Sequence, residues 1–122
     1  MASRPDLKVD DEVGFVKWFR GLPAIDDDTI RVFDRDGFFS CHGPDAIFVA
    51  QTVYKSVSVV KQLGRSPGLD SVTMSNLVFR GLLREALFRL GKRIQVWENT
   101  GRGNWKVTKQ VRVHDCGERS RI

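Results

Sequence analysis

Cysteine is nearly absent: Cys41 and Cys116 are the only two in 122 residues. That is too few for a disulfide framework, and their separation has no metal-ligand spacing, so a reduced intracellular compartment is expected. Long apolar runs are missing too; none approaches the roughly 20 residues of a bilayer span. The opening Met1-Ala-Ser-Arg-Pro-Asp6 has no apolar core of a secretory signal. No membrane partner is therefore expected. The two histidines, His42 and His114, stand without a paired acid or nucleophile at a telling spacing, and each is expected to be structural or merely exposed. His42 adjoins Cys41, but neighbours on a strand face opposite ways, which argues against a joint site. No Gly-x-x-x-x-Gly-Lys-Ser/Thr phosphate loop occurs, and Gly91-Lys92 and Gly101-Arg-Gly103 read as turns. Asp26-Asp27-Asp28 lacks the spaced ligands of a calcium loop and reads as solvated. No catalytic set, cofactor site or metal site is expected in this chain.

What is present is the composition of a single globular domain, 41% hydrophobic and 29% charged, with room for one modest core. The formal charge of +5 is uneven. Up to Asp36 there are nine acids against six bases; from Gly37 onward there are six acids against fourteen bases. A basic half favours a polyanionic partner, because each phosphate contact releases counterions. The bases are scattered, however, and solubility explains them about as well.

Residues 1–9 read as a disordered lead. Asp10, Asp11 and Glu12 then supply a cap and an acidic first turn, and Val13, Phe15, Val16, Phe19 and Leu22 form an apolar stripe. Gly21 is expected to close this helix in a left-handed cap, with Pro23 beyond it. The run from Thr29 to Phe33 alternates like a strand. Asp36-Gly37 is a strong hairpin signal, and Pro44 and Asp45 fit the first turn of a helix reaching about Lys55. Val57 to Leu63 is β-branched and apolar at alternate places, which predicts a strand. A short strand at 71–75 follows, with Val72 and Met74 on one face. Ser75 or Asn76 caps a helix whose stripe is Phe79, Leu82, Leu83, Ala86, Leu87 and Leu90, closed by Gly91. Arg80 and Arg84 lie one turn apart on its other face and read as solvated surface. A final hairpin pairs a strand from Ile94 to Trp97 with one from Trp105 to Val113. It is the most basic part of the chain, and either lies on nucleic acid or is an edge strand carrying lysines against aggregation. The predicted fold class is α/β (α+β): a mixed sheet of about six strands with about three helices packed on it.

The segment Phe33-Asp-Arg-Asp-Gly-Phe-Phe-Ser-Cys-His-Gly-Pro-Asp-Ala46 resembles the mismatch-recognition domain, domain I, of the MutS family of DNA repair proteins. It is closer to the eukaryotic homologue 2 branch. Further matching segments are Asp11-Glu-Val-Gly-Phe-Val-Lys-Trp-Phe19, Val53-Tyr-Lys55 and Phe79-Arg-Gly-Leu-Leu-Arg-Glu-Ala-Leu-Phe88, so the likeness runs from about Asp11 to Gln110. It implies a domain over residues 10–112 with the mixed-sheet architecture. It also implies a nuclear role in mismatch repair, with double-stranded DNA carrying mismatches or small loops as partner and a second MutS homologue as heterodimer partner. ATP and magnesium belong to an ATPase domain of the full-length family that this chain lacks, so no enzyme activity is expected here. The DNA-facing candidates implied by the resemblance are Arg35, Phe38, Phe39 and Ser40 on the hairpin, with Lys106 and Lys109 from the basic strand.

Three departures qualify the likeness. Where base-reading members carry Phe-x-Glu, this chain has Phe38-Phe39-Ser40, consistent with a subunit that supports recognition without reading the base. Asp36-Gly37 replaces Gly-Asp, which is expected to preserve the turn while leaving open which residue takes φ > 0. After Lys109-Gln110 the family's connector sequence is replaced by Val-Arg-Val-His-Asp-Cys-Gly-Glu-Arg-Ser-Arg-Ile. Residues 113–122 therefore read as a disordered, non-family tail, and the chain as truncated. The alternative reading is a small basic α/β interaction module that binds a protein or RNA partner.

Overall fold

The computed structural model describes residues 4–112. Six strands form one sheet in the order β3-β4-β2-β1-β5-β6. β1 (Thr29–Asp34) and β2 (Phe39–His42) occupy its middle. β4 (Leu69–Met74) and β3 (Lys61–Leu63) extend it on one side, β5 (Arg93–Asn99) and β6 (Trp105–Arg112) on the other. All pairings are antiparallel except β1 with β5, which run parallel from Thr29 opposite Arg93 to Asp34 opposite Glu98. The expected mixed sheet with three helices is what forms.

The period of two sorts the sheet's residues onto two faces. Ile30, Val32, Cys41, Val72, Met74, Ile94 and Val96 point to one face, where they bury with Ala46, Val49, Ala50, Leu82, Ala86 and Leu87. Those partners come from α2 (Pro44–Val49, continued by a π-helical turn over Ala50–Tyr54) and α3 (Asn76–Leu83, continued likewise over Arg84–Arg89). Phe33, Leu63 and Leu69 point to the opposite face, under Phe15 and Val16 of α1 (Glu12–Arg20). Trp18, outside the expected stripe, packs there edge-on to Phe33 and Trp97, with centroids 6.1 and 5.7 Å apart.

Local signals set the element ends. Asp11 accepts from the Gly14 amide at 2.9 Å, and Ser75 accepts from the Val78 amide at 3.3 Å; each satisfies one orphan amide of a first turn. Gly21 differs from expectation. Its φ of −84° is right-handed, and its amide bonds the Lys17 and Trp18 carbonyls. Pro23, not a left-handed cap, stops the helix. Gly43 does need its glycine: its φ of +65° lies in the left-handed region that L side chains rarely adopt.

Two further expectations are corrected. The strand predicted from Val57 to Leu63 begins only at Lys61, after a 3₁₀ turn over Val57–Val59. There the Ser56 hydroxyl accepts from the Ser58 amide, so a side chain competes with the ladder for the backbone. The lead does not trail away over residues 4–9. The Pro5 carbonyl accepts from the Thr73 hydroxyl at 2.7 Å, and Leu7 and Val9 pack on the α1 face core. The expected tail at 113–122 lies outside the described residues.

Candidate nucleic-acid interface

The β1–β2 hairpin is closed by two residues, Asp36 and Gly37, both at positive φ (61° and 109°). This is the primed turn that matches strand twist, and so the Asp-Gly order puts both residues at φ > 0. The Asp34 carboxylate accepts from the Asp36 amide at 2.9 Å, and the Arg35 amide donates to the Phe38 carbonyl at 2.8 Å. The turn is thus held from both sides.

The four hairpin candidates take four different situations. Phe38 is half-buried at the wall of a cleft of about 880 Å³ between the hairpin, the start of α1 and the β5–β6 turn. Phe39 turns to the opposite face and stacks on Phe79 of α3, with centroids 4.1 Å apart and planes 25° apart. It is committed to the core margin, which leaves Phe38 as the phenylalanine of the pair that lines the cleft. Ser40 is fully buried, and so is withdrawn from any contact surface of the folded domain. Arg35 folds inward: its guanidinium lies over Phe15 and Trp105 at 4.7 and 4.8 Å. Burial lowers its pKa to about 10, which leaves it charged at neutral pH.

Arg35 and Ser40 belong instead to a buried polar chain that ends at His42. Arg35 Nε donates to Ser40 Oγ at 3.0 Å. The Ser71 hydroxyl donates to the Leu69 carbonyl at 3.1 Å, so it accepts from His42 Nδ1–H at 2.7 Å. His42 Nε2 therefore carries the lone pair, and accepts from the Ser40 hydroxyl at 2.9 Å and from Arg35 Nη2 at 3.4 Å. Burial first, and the Arg35 charge second, push the His42 pKa down to about 3. The imidazole is neutral, with every polar atom satisfied, and Phe15, Phe19 and Phe33 enclose it at centroid distances of 4.9–5.6 Å. This chain escaped the sequence reading, which weighed His42 only against Cys41. The usable signal is Ser40-x-His42, a period of two that puts both polar groups on one face, with Ser71 directly opposite His42 across β4.

Lys106 and Lys109 are exposed on β6, an outer strand of the sheet. They are on the far side of β5 from the hairpin, and Lys106 pairs with Glu98, which lines the cleft. The structure thus brings Phe38 and the β5–β6 turn to one end of the sheet, and spreads the lysines along its edge. Among the described residues no group of histidine, cysteine, aspartate or glutamate is arranged to hold a metal ion. Nor, among these residues, is any helix long and apolar enough to cross a membrane.

A family model described as MutS domain I matches residues 13–113. The chain is 58% identical over 114 residues to the DNA mismatch repair protein msh-2 of Neurospora crassa, covering 91% of this chain and 12% of that protein. It is 35% identical over 109 residues to MSH2 of Zea mays, covering 86% of this chain and 11% of the relative. With MSH2 of Saccharomyces cerevisiae the identity is 34% over 121 residues, 90% of this chain and 12% of the relative. The chain thus spans about an eighth of the length of these relatives. With its hairpin, its mixed sheet and a match over nearly every described element, the chain belongs to the MutS domain I family.

Proposed function

We infer that this chain serves DNA mismatch repair as the DNA-facing N-terminal domain of a MutS homologue 2-like subunit. It contacts duplex carrying mismatches or small loops, and supports the wedge of a partner MutS homologue through contacts that do not read the base. The observation that carries this reading is the division of labour at the hairpin. Of the two adjacent phenylalanines, Phe39 is locked on Phe79 and Phe38 remains at the surface beside the cleft. Serine stands where base-reading members have glutamate, and it is buried. An aromatic side chain at a groove can exploit a kinked step without a hydrogen bond to the base. Lys106 and Lys109 supply phosphate attraction along the sheet edge. The site of action is the nucleus, and ATP and magnesium act on another domain of the longer protein.

Fluorescence anisotropy with matched and looped duplexes, at two salt concentrations, tests this. Phe38→Ala is expected to weaken binding to the looped duplex by about 1–3 kcal/mol, the range for aromatic stacking on bases. Unaltered affinity in a folded Phe38→Ala protein would overturn the role given to this side chain.

A further inference from the structure

α3 carries a second surface that neither the fold nor the hairpin uses. Its inward side chains, Leu82, Ala86 and Leu87, are buried, with Val78, Phe79 and Leu83 packed beside them. Its outward face presents Leu77, Arg80, Gly81, Arg84 and Phe88. Leu77 and Phe88 are 73% and 64% exposed, the two most exposed large hydrophobic side chains among the described residues. Neither belongs to a core cluster. They stand eleven positions apart, about 16 Å along a helix. Between them lies Gly81, where nothing comes within 4 Å of the place a Cβ would take. A glycine inside a helix costs stability relative to alanine, and no contact within the domain requires this one. Leu77, Gly81 and Arg84 are spaced four and three apart on one side of the helix, and Phe88 follows in its π-helical continuation; a small residue on such a side lets two backbones approach.

The charge on this face has one sign. Arg80 and Arg84 are exposed and have no hydrogen-bond or ion-pair partner among the described residues. Glu85, the acid of this helix, is already paired with Arg89. We propose that the outer face of α3 is a docking surface for an acidic amphipathic helix of a protein partner. Leu77 and Phe88 grip its apolar side, the Gly81 notch admits its backbone, and Arg80 and Arg84 meet its carboxylates. A protein is favoured over nucleic acid because the apolar side chains at both ends of this face have no role against a phosphate backbone. Such docking sits directly behind the hairpin, since Phe79 of the same helix holds Phe39.

The probe is a fluorescein-labelled helical peptide with leucines at alternating four- and three-residue spacing, flanked by glutamates. It is titrated against the 122-residue chain, with amide shifts read by NMR. Binding that moves the amides of α3 is expected, with at least tenfold loss in Leu77→Ser/Phe88→Ser and in Arg80→Glu/Arg84→Glu. Gly81→Met should fill the notch and weaken docking while the melting temperature holds or rises. The same peptide with lysines for glutamates should not bind, and Phe38→Ala should leave docking unchanged, which separates this surface from the DNA reading. Absence of peptide binding, or binding indifferent to both double variants, overturns the proposal. Loss of duplex affinity in the arginine variants with no effect on the peptide would reassign the face to nucleic acid.

Discussion

His42 and Ser71 face each other across β2 and β4, and the imidazole donates from Nδ1 to the serine oxygen at 2.7 Å. That bond fixes the tautomer, and through it the direction of every proton from Arg35 to the Leu69 carbonyl. Ser71→Ala should therefore cost about 1–3 kcal/mol, the penalty of stranding a buried donor. Urea unfolding measures it, and a loss below about 0.5 kcal/mol would mean that water replaces the hydroxyl.

Acid titration should reveal two opposed contributions. The folded His42 pKa is depressed to about 3 from 6.5, so the unfolded chain binds more protons there, and stability falls as pH drops from 6.5 towards 3. Asp45 is displaced the other way, from 3.8 to about 6, chiefly by burial. Its folded form holds the proton more tightly, so it contributes stability at low pH that is lost as pH rises through 3.8 to 6. Asp45→Asn keeps an acceptor for the Arg31 amide, which Asp45 Oδ2 now receives at 3.0 Å, and removes the buried charge. The variant should be more stable than the parent at pH 7, and its loss of stability from pH 6 to pH 4 should be steeper. An unchanged slope would discount the Asp45 contribution.

Phe33 and Phe38 differ by burial alone as candidates for truncation. Phe33 is fully buried among Phe15, Trp18 and Trp97, so Phe33→Ala should cost about 3–5 kcal/mol. Phe38 is half-buried beside the cleft, and its replacement should cost clearly less. Thermal melting of the two variants side by side decides the ranking; equal losses would place Phe38 in the core.

The two lysines of β6 should act on DNA binding only through charge. Lys106→Ala and Lys109→Ala are each expected to weaken matched and looped duplexes alike, and to lower the log–log salt slope by about 1. A change confined to the looped duplex would assign the lysine a structural reading of the DNA instead.

Deleting residues 1–9 should lower stability by about 1–3 kcal/mol, since Leu7 and Val9 cover part of the α1 face core and Pro5 caps the Thr73 hydroxyl. Retained stability in the shortened chain would show that this segment lies on the domain without holding it.

Much of the architecture could be read from periodicity, and the Asp36-Gly37 turn from its dipeptide. Val72 and Met74 fall on one face as alternation requires, and Ser75 caps α3 as its position before an apolar stripe implies. What escaped was decided by tertiary contact. Leu7 and Val9 alternate with Asp6 and Lys8, a strand-like pattern too short to distinguish from a solvated lead. Trp18 lies off the stripe of α1 but meets Trp97 from the other end of the chain. At the candidate site the sequence marked Phe38, Phe39, Ser40 and Arg35 together. Only packing separates the ring at the surface from the one on Phe79, and the serine and arginine that serve His42.

The parallel ladder of β1 with β5 joins residues 29–34 to residues 93–98 in the middle of the sheet. No fragment ending before β5 can complete that centre, because β1 then keeps an open edge and Phe33 lacks Trp97 beneath it. The hairpin, complete at His42, is thus made well before the strand that fixes its footing, which begins at Arg93. On a ribosome the domain must wait, with an unpaired β1 edge exposed, until its last hairpin emerges; native order arrives in one late cooperative step rather than element by element.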